Sequence, residues 1–204
     1  MSDSDAANKK TLRLALALTS GAMLVEAAGG YLSNSLALLA DAAHMLVDAA
    51  ALGFTLYAFR RSGRRRGPVI AASLCGLALW AAAGVIILVA FRRFPSPPPI
   101  RSGLMLAVAL FGLLVNIGVA AMLHHRRTKS LRIRGSVLHV LADGLASVGV
   151  IAAAVAIRAA GALVWDPAAS LVVCLLILWS SGRLVLESFR YPHQETVPRN
   201  PGRA

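Results

Sequence analysis

The chain has 204 residues, 57% of them hydrophobic and only 15% charged, and its 21 basic and nine acidic side chains give a net charge of +12. A soluble domain would carry about 45–50% apolar and about 25% charged residues. Here the apolar residues are gathered into runs of about 17–25, long enough to cross a hydrocarbon core of about 30 Å, which excludes an ordinary soluble domain. Nucleic acid is not an expected partner, because the basic residues flank apolar runs, where they meet lipid headgroups, and do not build a soluble basic face with aromatics. Cys75 and Cys174 stand singly inside apolar runs without paired spacing, and read as small packing residues.

In chain order the apolar runs predict six membrane helices, over 12–31, 35–58, 69–91, 102–123, 133–157 and 166–187. The fold class expected is therefore all-α and integral to the membrane. A cytoplasmic segment at 1–11 precedes the first run. Lys9, Lys10 and Arg13 give that run the look of a signal peptide, but its length, its internal Glu26 and five further runs favour a retained helix. Gly29-Gly30 and Ser33-Asn34-Ser35 read as a short turn between the first two helices. Arg60 to Pro68 is a basic loop, Arg92 to Arg101 cannot be helical through its prolines, and His124 to Arg134 is a second basic loop. Trp165-Asp166-Pro167 combines an interfacial aromatic with a helix start. Residues 188–204 read as a short cytoplasmic tail with no folded C-terminal domain.

Counting Lys and Arg fixes the expected orientation. Seventeen fall on the side of the two termini and the two basic loops, and four (Arg92, Arg93, Arg101 and Arg158) on the other. By the positive-inside rule both termini are cytoplasmic and the proline-rich loop faces outward.

Ionisable residues inside membrane helices cost about 2.5–3.5 kcal/mol each on insertion scales. The second helix nevertheless carries Asp41, His44 and Asp48, and the fifth carries His139 and Asp143. Both contain His-x-x-x-Asp, and residues four apart lie on one helix face. One such pair would pass as interhelical glue, but two in separate helices bring two imidazoles and two carboxylates to one point, a donor set suited to tetrahedral Zn²⁺. The metal ligands expected are His44, Asp48, His139 and Asp143. Superposing His44 on His139 pairs the second helix with the fifth, antiparallel to it, as in the inverted repeats that flank a site at the membrane midplane. Such symmetry suits alternating access, in which the two halves rock about the ion. Asp41 aligns with Ser136 and so has no counterpart.

The remaining polar residues are accessory. Glu26 and Asn116 read as interhelical hydrogen-bonding groups, with an access-path or proton-coupling role as the alternative for Glu26. Asp41 stands toward the outer side of the expected site, where helping the metal leave, accepting protons and capping structure are all open to it. His124 and His125 lie at the cytoplasmic mouth, where metal recruitment is opposed by Arg126 and Arg127. His193, in the tail, reads as solvated.

These residues resemble the cation diffusion facilitator family of zinc transporters. The resemblance runs through Glu26, Gly29 and Gly30, then SNSLALLADAAHMLVD in the second helix, GLLVNIGVA in the fourth and GSVLHVLADGLASVGV in the fifth. It implies metal efflux from the cytoplasm in exchange for protons, a metal site of His44, Asp48, His139 and Asp143, and a zinc preference associated with histidine at position 44. It also implies a homodimer, although family members usually continue into a cytoplasmic ferredoxin-like domain that is not expected here.

The function expected is thus Zn²⁺ efflux by metal/proton antiport, with the metal as substrate and no resident cofactor. Cd²⁺ and Co²⁺ are admitted, because ligand type separates such ions weakly. Metal binding needs neutral imidazole and ionised carboxylate, so it displaces protons, and protonation releases the metal. The chain is expected in the cell (inner) membrane. A membrane-embedded metalloenzyme using the same ligands, with Asp41 as base, is the alternative, and a haem protein is a weaker one because neither aspartate would be needed.

Overall fold

A computed structural model of the chain describes residues 3–60, 66–125 and 133–190. These form six helices: α1 (Asp3–Ser33), α2 (Leu36–Arg60), α3 (Arg66–Arg93), α4 (Ser102–His125), α5 (Ile133–Ala160) and α6 (Trp165–Arg190). Each coincides with one of the six expected runs. Five contain spans long and apolar enough to cross a membrane, and the described part of α5, Gly144–Ala160, is a shorter apolar segment. The chain is all-α over the described residues. Much of the tail, the middles of both basic loops, and the side chains of His124, His125, His139, Asp143 and His193 fall outside what is described.

The helices pack as two sets of three. Helix α1 packs on α4, α2 on α5 and α3 on α6, while α1–α2 and α4–α5 are neighbours within each half. Every equivalent pair therefore meets across the middle of the bundle, as an inverted repeat requires. Helices α1, α2, α5 and α4 close a ring, and the α3–α6 pair lies outside it against α2 and α5. The α2 span is 56% buried, against 22% for α3 and for α4. Helix α2 is thus the central element, while α3 and α4 turn residues such as Leu88 and Leu114 outward, as lipid-facing positions demand.

The core between the helices is built mainly of small side chains: Ala37 and Ala40 of α2, Ala109 of α4, Ala146 and Ala154 of α5, with Leu38, Met105, Val150 and Ile177 filling the remainder. Small residues bring backbones close, and dispersion then replaces the hydrophobic drive that lipid does not supply. Gly29 and Gly30 act in this way and do not form the turn expected of them. Helix α1 runs through both to Ser33, because a Cβ on Gly29 would lie 2.8 Å from either Val108 Cγ atom of α4, and one on Gly30 would lie 2.9 Å from Leu39 Cδ2 of α2. The turn is only Asn34-Ser35. Asn34 takes the left-handed conformation (φ 60°) and the Ser35 N–H donates to Gly30 O at 3.0 Å, the six-to-one bond of a Schellman ending.

The outer ends are tied together by Asp166, and this is a role the sequence did not suggest. Asp166 stands in the first turn of α6, but its buried carboxylate caps a different helix. The Leu36 N–H donates to Oδ2 at 2.8 Å, the Ala37 N–H to Oδ1 at 3.1 Å and the Ser35 hydroxyl to Oδ1 at 2.6 Å. Ser35 is itself the N-cap of α2, accepting from the Leu38 N–H at 3.1 Å. Three of the four N–H groups left open at the start of a helix are thereby satisfied. Arg93, ending α3, donates to the Asn34 carbonyl at 2.8 Å and to its side-chain oxygen at 3.0 Å, and lies 3.8 Å from Asp166 Oδ2. The proline-rich segment joins through Asn34 Nδ2 to Pro99 O at 3.2 Å and the Arg101 N–H to Ser33 O at 3.0 Å.

Two measurements check this account. Asp166→Ala strands Arg93 and the N-terminus of α2, and is expected to destabilise the bundle by about 3 kcal/mol, the scale for breaking a buried charged pair, read by unfolding in detergent. Gly29→Ala should cost about 1–3 kcal/mol through overpacking on Val108, while Gly21→Ala, whose Cβ meets nothing within 4 Å, should leave stability unchanged.

Candidate metal-transport site

Helix α2 places its three ionisable residues at the centre of the bundle. Asp41 and His44 have no exposed surface, and Asp48, one turn further along, is partly buried. None of them faces lipid, so the cost of carrying charge into the bilayer is met by enclosure of α2 among α1, α3, α5 and α6. The local sequence makes this enclosure reachable: Ala40, Ala42 and Ala49 around them are small and buried.

Helix α5 lies alongside, and its direction follows from the outer network. Helix α6 begins beside the N-terminus of α2, held there by Asp166. The link from α5 to α6 is only 161–164 and starts with Gly161 in the left-handed conformation (φ 66°). Helix α5 therefore ends where α2 begins, and the two are antiparallel. Their register is set by Ser147, whose hydroxyl donates to Asp41 Oδ2 at 3.2 Å.

Counting inward from that bond orders the rest. His44 follows Asp41 by three residues on α2, and Asp143 precedes Ser147 by four on α5, depths of about 4.5 and 6 Å at a rise of about 1.5 Å per residue. Asp48 and His139 follow at seven and eight residues. The helix positions of the two His-x-x-x-Asp pairs are therefore level, His44 with Asp143 and Asp48 with His139. Among the described residues no three His, Cys, Asp or Glu side chains converge as a metal cluster, and the side chains of His139 and Asp143 are not among them.

Glu26 is fully buried on α1, and neither carboxylate oxygen has a hydrogen-bond partner among the described residues. The Asn116 amide nitrogen of α4 is likewise buried without an acceptor. The reason is steric: Gly112 of α4 leaves a cradle in which a Cβ would meet the Glu26 carboxyl, 2.8 Å from its Cδ. The carboxyl fills a hollow against α4. The Gly112 signal was present in the sequence, four residues before Asn116, but only the α1–α4 pairing gives it meaning. Ser147, the partner of Asp41, was not singled out by the sequence either. Cys174 is buried and Cys75 partly so, both unbridged, as packing residues should be.

Comparison with known proteins agrees with this architecture. Residues 12–191 match the cation efflux transmembrane domain. The zinc transporter ZitB of Escherichia coli (strain K12) is 44% identical over 194 residues, covering 89% of this chain and 61% of that protein. The cadmium, cobalt and zinc/H(+)-K(+) antiporter of Bacillus subtilis (strain 168) is 40% identical over 208 residues, covering 96% and 67%. The metal cation efflux system protein CzcD of Cupriavidus metallidurans is 38% identical over 187 residues, covering 87% and 58%. The chain thus spans about three fifths of the length of these relatives. With six helices in two interlocked halves and a match running from the first helix to beyond the last, the chain is a multi-pass membrane protein that belongs to the cation efflux family.

Proposed function

We propose that the chain exports a divalent transition metal, Zn²⁺ first, across the cell membrane by alternating access, in exchange for protons. The observation that carries this reading is the Asp41–Ser147 bond, because the register it sets brings two His-x-x-x-Asp pairs level on antiparallel helices. His44, Asp48, His139 and Asp143 are the ligands proposed. Two imidazoles and two carboxylates bind Zn²⁺ without the thiolates that would trap it, and a carried ion must leave as readily as it enters. The relatives' names point the same way, to zinc in one case and to cadmium, cobalt and zinc exchanged for H⁺ and K⁺ in another.

Direction and coupling follow from the ligand chemistry. Neutral imidazole and ionised carboxylate hold the metal, so protons reaching the outward-facing site displace it, and the protonated site returns inward. The symmetric packing of α1 on α4, α2 on α5 and α3 on α6 supports a rocking of halves about that site. No part of this cycle needs bond chemistry, and a transporter is favoured over a metalloenzyme, which would keep one coordination position open. A homodimer held through helix faces is the assembly proposed.

Transport by the purified chain in proteoliposomes tests the reading. Asp48→Ala and Asp143→Ala should each reduce Zn²⁺ flux to that of protein-free vesicles while the protein still elutes as a folded species. Near wild-type flux from either would remove the proposed ligand set. His44→Asp replaces an imidazole by a third carboxylate, and should move the ranking of initial rates away from Zn²⁺ toward Mn²⁺ or Cd²⁺. An unchanged ranking would mean that His44 does not touch the ion.

A further inference from the structure

Asp166 does more at the outer face than the start of its own helix requires. The N–H groups that open α6 have other partners: that of Asp166 donates to Leu163 O at 3.3 Å and that of Ala168 to Val164 O at 3.2 Å. The carboxylate instead takes the Ser35 hydroxyl and the Leu36 and Ala37 N–H groups at the start of α2. Helix α6 belongs to the second set of three helices and α2 to the first, so these bonds cross from one half of the bundle to the other. Around them the rim is shut. Ser33, Ser35, Ala37 and Asp166 have no exposed surface. Ala37 stands one turn outward of Asp41 on the same face of α2, so the closure lies between His44 and the outer water.

Halves that rock about an ion must part at the outer end for the ion to leave. We propose that Asp166 is the latch of the outer gate: its bonds to the start of α2 hold the bundle closed to the outside, and they break and re-form in each transport cycle. The chemistry suits a latch. Charge-assisted bonds to a carboxylate are strong while water is excluded. Once the rim opens, water satisfies the carboxylate, the hydroxyl and the helix N–H groups alike.

Arg93 stays with the first half, because two bonds to Asn34 hold it at the end of α3. It lies 3.8 Å from Asp166 Oδ2. Together with the positive end of the α2 dipole it makes a fixed receptor to which the carboxylate returns. Asn34 with Pro99 and Ser33 with Arg101 also meet at the rim, but the segment carrying Pro99 and Arg101 joins the two halves and can follow either.

The inference rests on the transport reading, and the test separates the two. The full chain, with Cys75 and Cys174 replaced by alanine, is reconstituted in liposomes with Ala37→Cys as reporter. A membrane-impermeant thiol reagent is added on the side of the proline-rich segment. Labelling should be slow, and about tenfold faster in Asp166→Asn, the ratio for one lost charge-assisted bond. Ala83→Cys, equally buried on α3, should label no faster, since a latch acts at the rim alone. Equal rates at Ala37→Cys with and without Asp166→Asn overturn the proposal. So does faster labelling at both positions, which makes Asp166 a structural cap and nothing more.

A second measurement compares one protein with itself and so does not depend on how Asp166→Asn folds. Ser35→Cys with Asp166→Cys places two thiols where a hydroxyl and a carboxylate now meet. Oxidised to the disulfide, this chain should carry Zn²⁺ no faster than protein-free vesicles, and reduction should restore flux. Equal flux before and after reduction overturns the latch. Absence of Zn²⁺ flux from the parent chain would instead defeat the transport reading, and the labelling rates would still decide the gate.

Discussion

The constraint from which this bundle follows is that Asp41, His44 and Asp48 on α2 cannot face lipid. Each would cost about 2.5–3.5 kcal/mol there, a penalty comparable to the whole gain from packing a large side chain. Helix α2 is accordingly the most enclosed of the candidate spans, flanked by α1, α3, α5 and α6. Enclosure needs close approach, and close approach needs the alanines of α2 together with Gly30 of α1, which admits Leu39, while Gly29 and Gly112 bring α1 and α4 together beside it. Small residues and buried charge are therefore one feature of the fold seen from two sides.

A second consequence appears at the outer face. A helix held centrally must begin centrally, and the open N–H groups at its start are then shut away from water. Ser35 and Asp166 satisfy them, and Asp166 brings Arg93 and the proline-rich segment with it. The positive end of the α2 dipole meets a carboxylate, while Arg93 completes the charge balance at the end of α3. All three outer connections are anchored to the start of the helix that carries the site.

How much of this could be read from the sequence depended on whether the signal was local. The six helices were legible because membrane spans are read from length and apolarity within one segment, and the lone Glu26 and the paired His-x-x-x-Asp motifs stood out because ionisable residues in such segments are rare. Gly29-Gly30 misled, because a glycine pair before Ser33-Asn34-Ser35 has the composition of a turn, while its actual use is the approach of Val108 and Leu39 from other helices. Asp166 was legible as a helix-start residue but not as the cap of α2, a partner 130 residues away. The cradle around Glu26 was not legible for the same reason: it comes from Gly112 of α4, and nothing within α1 reports it.

The repeat that pairs α2 with α5 is not symmetric where it matters most. In sequence the two halves are matched, His44 with His139 and Asp48 with Asp143, so under the proposed ligation neither direction is favoured by the ligands themselves. Asp41 breaks the match, since its counterpart on α5 is Ser136. Inversion carries an outer position on α2 to an inner position on α5, so in sequence the carboxyl residue has only the outer position relative to the proposed centre and serine has the equivalent inner one. In the proposed cycle, a dication moving outward would therefore pass the level of an acidic residue that the inward path lacks. Equilibrium affinity at the centre cannot depend on this difference in direction, but the barrier for leaving it can, because nearby oxygen ligands replace part of the coordination an ion gives up as it departs. An inverted repeat supplies two ways out of one site, and in the proposed cycle the unmatched Asp41 would lower the barrier of the outer one.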